Sequence, residues 1–315
     1  MTYLGRFRQT ALRPAWQTAG MADLLRPRPN GPAAFRELLA QPGPVLLPGC
    51  YDALGSRLIE QAGFDVVYMT GFGSAASLLG RPDVGLLGLT EMVDNARRIT
   101  AATDLPVIAD ADTGYGNQIN VIRTVQSYEQ AGVAGIHLED QVLPKKCGHM
   151  EGKVVVPRDE FVGKIAAAVA ARQDPNFTII ARTDARATHS VDEALDRARA
   201  AHDAGADMLF VEALQNDEEL EHVASELSDI PLVFNWAEGG KTPPVTIERI
   251  TELGFKLVIM PISTLLVATR AMQEALAQIK IDGTPVNAVK TMPAFDEFTD
   301  AIGLPEIVEL EARFS

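Results

Sequence analysis

Residues 107–114 read VIADADTG, an apolar run that stops on two aspartates two positions apart and then on a glycine. A strand covered on both faces is near-continuously apolar rather than alternating, so this is a buried strand whose polar residues begin where it ends. The same design recurs along the chain in VLLPGCYD (45–52), VVYMTGF (66–72), GIHLEDQ (135–141), TIIARTDA (178–185), MLFVEA (208–213), PLVFNWAE (231–238) and LVIMPIST (257–264). Between the runs lie segments of helical period. EMVDNARRIT (91–100), NVIRTVQSYEQAG (120–132) and VDEALDRARAAHDAG (191–205) place apolar residues at i, i+3, i+4 and i+7, and the last two stop at glycine. Eight alternating units predict a closed (β/α)₈ TIM-type barrel rather than a doubly wound open sheet. After Thr264 the helical patterns LLVATRAMQEALAQI (265–279) and PAFDEFTDAI (293–302) continue beyond the eighth unit, so extra C-terminal helices are expected. No linker divides the chain: the reading is a basic N-terminal arm and first helix over 1–40, then one barrel domain with its helical extension over 41–315.

The bulk properties agree with a soluble globular enzyme-sized domain. The chain has 315 residues, 47% of them hydrophobic, enough for a large core. A formal charge of −14 opposes binding to a phosphate backbone, and no apolar run is long enough for a membrane helix. Two cysteines, Cys50 and Cys147, make no disulfide framework, which suggests a reducing, cytoplasmic setting. Near the start, Arg6, Arg8, Arg13, Arg26 and Arg28 are opposed only by Asp23. The missing apolar segment argues against a secretory signal. An Arg-rich organelle presequence is one reading; an arm packed on the domain or on a neighbouring subunit is the other.

In an α/β barrel the chemistry sits at the carboxyl ends of the strands. Here those ends carry Tyr68, Thr70, Gly71 and Phe72; Asp110 and Asp112; Glu139 and Asp140; Arg182 and Asp184; Glu212; and Asn235 and Glu238. Carboxylates converging on one mouth repel each other unless a cation joins them. Oxygen donors without a His or Cys ligand pair select a hard ion, Mg²⁺ above all, with Mn²⁺ as a substitute. Asp110 and Asp112, at i and i+2, are expected to point to one side of their strand; the alternative is that these acids pair with rim lysines and arginines. The segment LPKKCGHMEGK (143–153) sets Cys147 among Lys145, Lys146 and His149. Those cations are expected to lower the thiol's pKa and fit it to act as nucleophile or general acid, while Gly148 allows close approach to a ligand. Cys50 reads as a structural thiol. GGKT (239–242) lacks the upstream glycine of a phosphate loop and is discounted.

Taken together, ADADTGYG (109–116), HLEDQVLPKKCGH (137–149), ARTDA (181–185) and NWAEGGKTP (235–243) resemble the isocitrate lyase/phosphoenolpyruvate mutase superfamily over roughly residues 45–290. The K-K-C-G-H loop is similar to that of its C–C bond lyase branch, which includes 2,3-dimethylmalate lyase, the petal death protein and methylisocitrate lyases. The resemblance implies that Asp110 and Asp112 hold Mg²⁺, Asp110 directly, with Asp83 and Glu139 reached through water. It implies that Thr70, Gly71 and Phe72 give donors to a substrate carboxylate, with Arg182, Glu212 and Asn235 nearby. Cys147 is then the acid, Lys145, Gly148 and His149 complete its gate loop, and Tyr68 is the candidate base. Methylisocitrate lyases carry an arginine where this chain has Leu266, so the expected substrate is a 2-alkylmalate-type dicarboxylate split to a 2-oxoacid and a short carboxylate. The alternatives are methylisocitrate lyase, oxaloacetate acetylhydrolase and, further off, a P–C enzyme of the phosphoenolpyruvate mutase type. The family further implies a homotetramer with one C-terminal helix exchanged between subunits.

Overall fold

A computed structural model describes residues 24–315. Eight parallel strands form one sheet: β1 Val45–Cys50, β2 Val67–Met69, β3 Val107–Asp110, β4 Gly135–Glu139, β5 Thr178–Thr183, β6 Met208–Val211, β7 Val233–Asn235 and β8 Leu257–Met260. Each lies within one of the eight apolar runs. The order β6-β5-β4-β3-β2-β1-β8-β7 leaves β6 and β7 to meet, which they do through the parallel Leu209–Leu232 bridge. Leu209 N–H donates to Pro231 O at 3.1 Å, and the barrel is nearly closed.

Strand side chains alternate between faces, and here both faces are apolar but feed different cores. Val67, Val107, Ala109, Ile136, Leu138, Ile179 and Leu209 pack outward against the helices. Leu47, Ile108, Ile180, Met208, Val233 and Leu257 fill the barrel's interior. Phe35, from the helix Gly31–Ala40, joins this inner group and is fully buried. Burial of one such side chain is worth roughly 1.5–3 kcal/mol, and it seals the end of the barrel opposite the polar mouth.

Arg6, Arg8, Arg13 and Asp23 lie outside the described residues. Arg26 pairs with Asp104, and Arg28 donates to the carbonyls of Thr100 (2.8 Å) and Ala101 (2.9 Å). These are the last carbonyls of the helix Leu89–Ala101, where a cation is favoured by the helix dipole. At the other terminus the expected extra helices are present as Ser263–Asp282, Phe295–Ala301 and Leu304–Phe314. The first runs 20 residues without one buried side chain, leaving Val267 and Ile281 more than two-thirds exposed. No described helix is long and apolar enough to cross a membrane.

Candidate active site

The strand ends converge on a cavity of about 190 Å³. Tyr68, Thr70, Phe72, Asp83, Asp110, Lys145, Cys147, Gly148, His149, Arg182, Glu212 and Asn235 all line it. Strand register explains much of this. Asp110 pairs across the sheet with His137, and Glu139 with Arg182, so side chains remote in sequence become direct neighbours. Arg182 is central: its Nε lies 3.0 Å from Asp184 Oδ2 and 3.3 Å from Glu139 Oε2, and its Nη2 lies 3.2 Å from Glu212 Oε2. The guanidinium also stacks 5.0 Å over the Phe210 ring. Phe72, Met150, Ile259, Pro261 and Ile262 give the cavity its apolar lining. Leu266 is not part of it; it lies one helical turn beyond Ile262 and is 45% exposed.

At β2, Thr70 caps the helix Gly71–Leu79, its hydroxyl accepting from Gly73 N–H. The first N–H groups of a helix have no partner within it; Thr70 and Phe72 line the cavity, so this helix start is suited to an anion. Gly71 is required there: a Cβ would stand 2.3 Å from Asp110 Oδ2.

The acids are buried but not disposed as the i, i+2 argument expects. Strand β3 ends at Asp110, and Asp112 lies beyond it with φ of 47°, its N–H donating to Asp110 Oδ1 at 2.9 Å. The strand alternation rule therefore does not reach Asp112, whose carboxylate turns to Lys145 instead. The Lys145 ammonium lies 2.7 Å from Asp112 Oδ1 and 2.7 Å from Asp83 Oδ2. Burial alone would lower this ammonium's pKa; Asp112, Asp83, Asp110 and Glu139 outweigh it and hold the group well above the ordinary lysine range. Burial raises Asp112 to about 6 and Glu139 well above the carboxylate range. It acts likewise on Asp110, but there His137, Lys145 and Arg182 prevail and the value falls below normal.

The segment carrying Cys147 lies across the mouth. Its two ends are tied together by the Gln141–Val155 bridge and by Val142 N–H to Val154 O at 2.8 Å. Gln141 also holds Lys146 through both backbone groups. Cys147 N–H donates to Asp83 O at 3.1 Å, and Gly148 fits so closely that a Cβ would be 2.5 Å from Arg182 Nη2. The expectation of a depressed thiol pKa is overturned. Burial pushes Cys147 up to about 11, with Asp83 adding to the rise and His149 N–H opposing it. The reason is geometric: Lys145 is engaged with Asp83 and Asp112, and the Lys146 ammonium turns to Glu151 O at 3.3 Å. Cys50 is fully buried, as a structural thiol should be.

A family model described as phosphoenolpyruvate phosphomutase matches residues 35–280. The chain belongs to that family. Among family members, 2,3-dimethylmalate lyase of Eubacterium barkeri is 48% identical over 91% of this chain and 99% of its own length. Probable 2-methylisocitrate lyase 1 of Corynebacterium glutamicum is 48% identical over 80% of this chain and 82% of its own. Solved structures of the family superpose closely. One of 2,3-dimethylmalate lyase gives a TM-score of 0.87 at 40% identity, covering 92% of this chain and 97% of that one. Oxaloacetate acetylhydrolase with 3,3-difluorooxalacetate gives 0.85 at 38%, covering 90% and 96%. Phosphonopyruvate hydrolase, at 0.83 and 31% over 91% and 99%, was solved with oxalate and Mg++.

The residues in this family member suit a hard cation. Glu139 is buried with neither carboxylate oxygen in a hydrogen bond, and it shares the surroundings of Lys145 with the buried Asp83, Asp110 and Asp112, all oxygen donors. Among the described residues, however, no three His, Cys, Asp or Glu groups are gathered closely enough to ligate an ion as they stand. The ammonium of Lys145 supplies the local positive charge. Several participants escaped the sequence reading. His137 meets Tyr68 OH at 2.7 Å through Nε2, while burial holds its pKa down to about 4. The GGKT segment, discounted as a phosphate loop, seats the Cys147 loop: Lys241 N–H donates to His149 Nδ1 at 3.0 Å, and the Gly240 backbone lies against the imidazole. A lone histidine inside a strand and a glycine pair far from the cysteine give no local signal of either role.

Proposed function

We propose that the chain is a Mg²⁺-dependent carbon–carbon lyase acting on a 2-alkylmalate-type dicarboxylate, 2,3-dimethylmalate being the type substrate. The observation that carries this reading is the placement of Cys147 and Gly148 over a cavity where Arg182, Asp110 and the Thr70–Phe72 helix start meet. Arg182 and the Gly71 and Phe72 N–H groups bind substrate carboxylate. Asp110 and Asp112 would hold Mg²⁺, with Asp83 and Glu139 reached through water, and the ion, when bound, makes the 2-hydroxyl more acidic. Glu212 and Asn235 orient the same end of the substrate. Tyr68 takes the hydroxyl proton. Its own proton passes in the same step to His137 Nε2, 2.7 Å from the phenol oxygen, so the relay balances. The C2–C3 bond then breaks: the electron pair passes to the departing carboxylate fragment as an enediolate, and C2 becomes the carbonyl of pyruvate. Arg182 stabilises developing charge, and Cys147 delivers a proton to the carbanionic carbon. Lys145, Gly148 and His149 hold the loop shut, excluding water. The apolar lining from Phe72 to Ile262 suits alkyl groups, which favours this dicarboxylate over a tricarboxylate.

A panel of 2,3-dimethylmalate, methylisocitrate and oxaloacetate, each with and without Mg²⁺, tests the assignment by following pyruvate and oxalate release. We expect pyruvate from 2,3-dimethylmalate with a kcat/KM at least about tenfold above that for methylisocitrate, a margin of about 1.4 kcal/mol, and dependence on the cation. A preference for methylisocitrate, or oxalate from oxaloacetate as the main product, would overturn the substrate class. The unburied apolar side chains of the helix Ser263–Asp282 support a further part of the proposal, a homotetramer with that helical region exchanged between subunits. Light scattering should give four times the 33.9 kDa chain mass, whereas a monomer would dismiss it.

A further inference from the structure

Behind the arginine that faces the cavity lies a second, completely buried set of charges. Lys153, at the far end of the Cys147 loop, has its side chain 2% exposed, and its ammonium lies 2.8 Å from Asp184 Oδ1. The same ammonium donates to the carbonyl of Gly148, the residue after Cys147. Asp184 is wholly buried; its other oxygen accepts from Arg182 Nε at 3.0 Å, and Oδ1 also accepts from Arg182 Nη2 at 3.5 Å. Asp184 is itself fixed from behind: its N–H donates to Asp140 Oδ1 at 2.8 Å, and Asp140 Oδ2 accepts from Thr183 Oγ (2.6 Å) and Arg197 Nη1 (3.2 Å). Arg197 also donates to Val156 O at 2.8 Å, tying the end of the loop to the same network.

From this geometry we infer that Lys153 is a positioning residue, whose ammonium locks the Cys147 loop, through the Gly148 carbonyl, to the substrate-gripping Arg182, through Asp184. The inference deepens the lyase reading and rests on it for the roles of Cys147 and Arg182. The physical claim is that one desolvated cation sets two reacting groups at once. Loop and arginine are then not independent: the loop adopts its closed position only where Asp184 is charged and oriented, and Arg182 is held from the rear by the carboxylate that receives the lysine. Asp184 Oδ2 takes Arg182 Nε, while Oδ1 serves both cations, with Lys153 Nζ at 2.8 Å and Arg182 Nη2 at 3.5 Å, so the lysine and the arginine meet on one oxygen. No other cation of the loop can substitute, because Lys145 is bound to Asp83 and Asp112, and Lys146 points to Glu151.

The test traps the cysteine. In the full chain, N-ethylmaleimide reports on Cys147 alone, because Cys50 is fully buried. We expect Lys153→Met and the isosteric Asp184→Asn to speed trapping at least tenfold, and the double variant to be no faster than the faster single one, since both break one link. Lys146→Met, on the same loop, should stay within twofold of the parent. Adding n-propylammonium to Lys153→Ala should slow trapping back toward the parent rate, a rescue that a loss of packing alone would not give. Trapping within twofold of the parent in a folded Lys153→Met, multiplicative effects in the double variant, or no response to the amine would each overturn the proposal. Should Lys153→Met not fold, Asp184→Asn carries the same comparison. The readout needs no substrate, so failure of the substrate panel and failure of this linkage are separate results.

Discussion

Replacing Cys147 with alanine should lower cleavage of 2,3-dimethylmalate by about 10²–10⁴-fold, the range for loss of a positioned acid, while oxalate still binds the cavity. The thiol argues for an acid rather than a nucleophile. Burial puts its pKa at about 11, so it holds its proton across the neutral range and has it available when the carbanion forms. A nucleophilic cysteine needs the thiolate and would be served by a lowered value. The sign of the pH dependence separates the two. An acid remains loaded as pH rises, and this group alone would cause activity to decline only as pH approaches about 11. A thiolate nucleophile would gain activity over that same rise. Coupled pyruvate release against pH, together with calorimetry of oxalate binding, checks both statements. Turnover within tenfold of the parent in Cys147→Ala would remove the residue from the chemistry.

Replacing Arg182 with methionine should damage both the fold and the reaction. The side chain is buried among Glu139, Asp184 and Glu212, and removing one partner of a buried ionic group costs about 3–5 kcal/mol because the remaining charges lose their compensation. Cleavage should fall by at least about 10²–10³-fold, as for loss of a donor to developing negative charge. The pH dependence that Asp184 gives to stability should also change. In the parent, burial would raise Asp184, but Arg182 and Lys153 outweigh it and bring its pKa from 3.8 to about 2. That contribution is fully present above pH 3.8 and is lost as pH falls through about 2. In the variant Asp184 and Glu139 keep the burial that raises them and lose the guanidinium that lowers them, so both hold protons more tightly when folded and the variant gains stability as pH falls. Urea midpoints for the two proteins should therefore draw together between pH 7 and pH 5. A constant gap would show that the guanidinium's charge is not what stabilises this region.

The barrel was legible because its strands are covered on both faces, which writes each as an unbroken apolar run; all eight contain the observed strands. The mouth was legible for a related reason: polar residues such as Asp110, Glu139, Arg182 and Glu212 begin where an apolar run stops. What sequence could not convey was the company each residue keeps. Lys145 and Lys146 stand beside Cys147 in the chain, yet neither acts mainly on its sulfur, because the loop's path turns one ammonium to Asp83 and Asp112 and the other to Glu151. Asp112 follows the strand by two residues but leaves its geometry at a positive φ. His137 is a cavity-side neighbour of Tyr68 only through the β2–β3–β4 register. Lys153 and Asp184 are separated by a whole helix and meet only because the barrel brings the fourth and fifth strand ends together.

Phe35 plugs the end of the barrel opposite the mouth, so among the described residues the cavity opens at the mouth. Substrate must enter where both products depart, and every catalytic cycle has to lift the same flap. On the proposed reaction the short carboxylate is freed beneath that flap, whereas the oxoacid stays deeper against Arg182. Departure is therefore queued, small acid first and oxoacid last, so the oxoacid should compete with fresh substrate while the small acid does not.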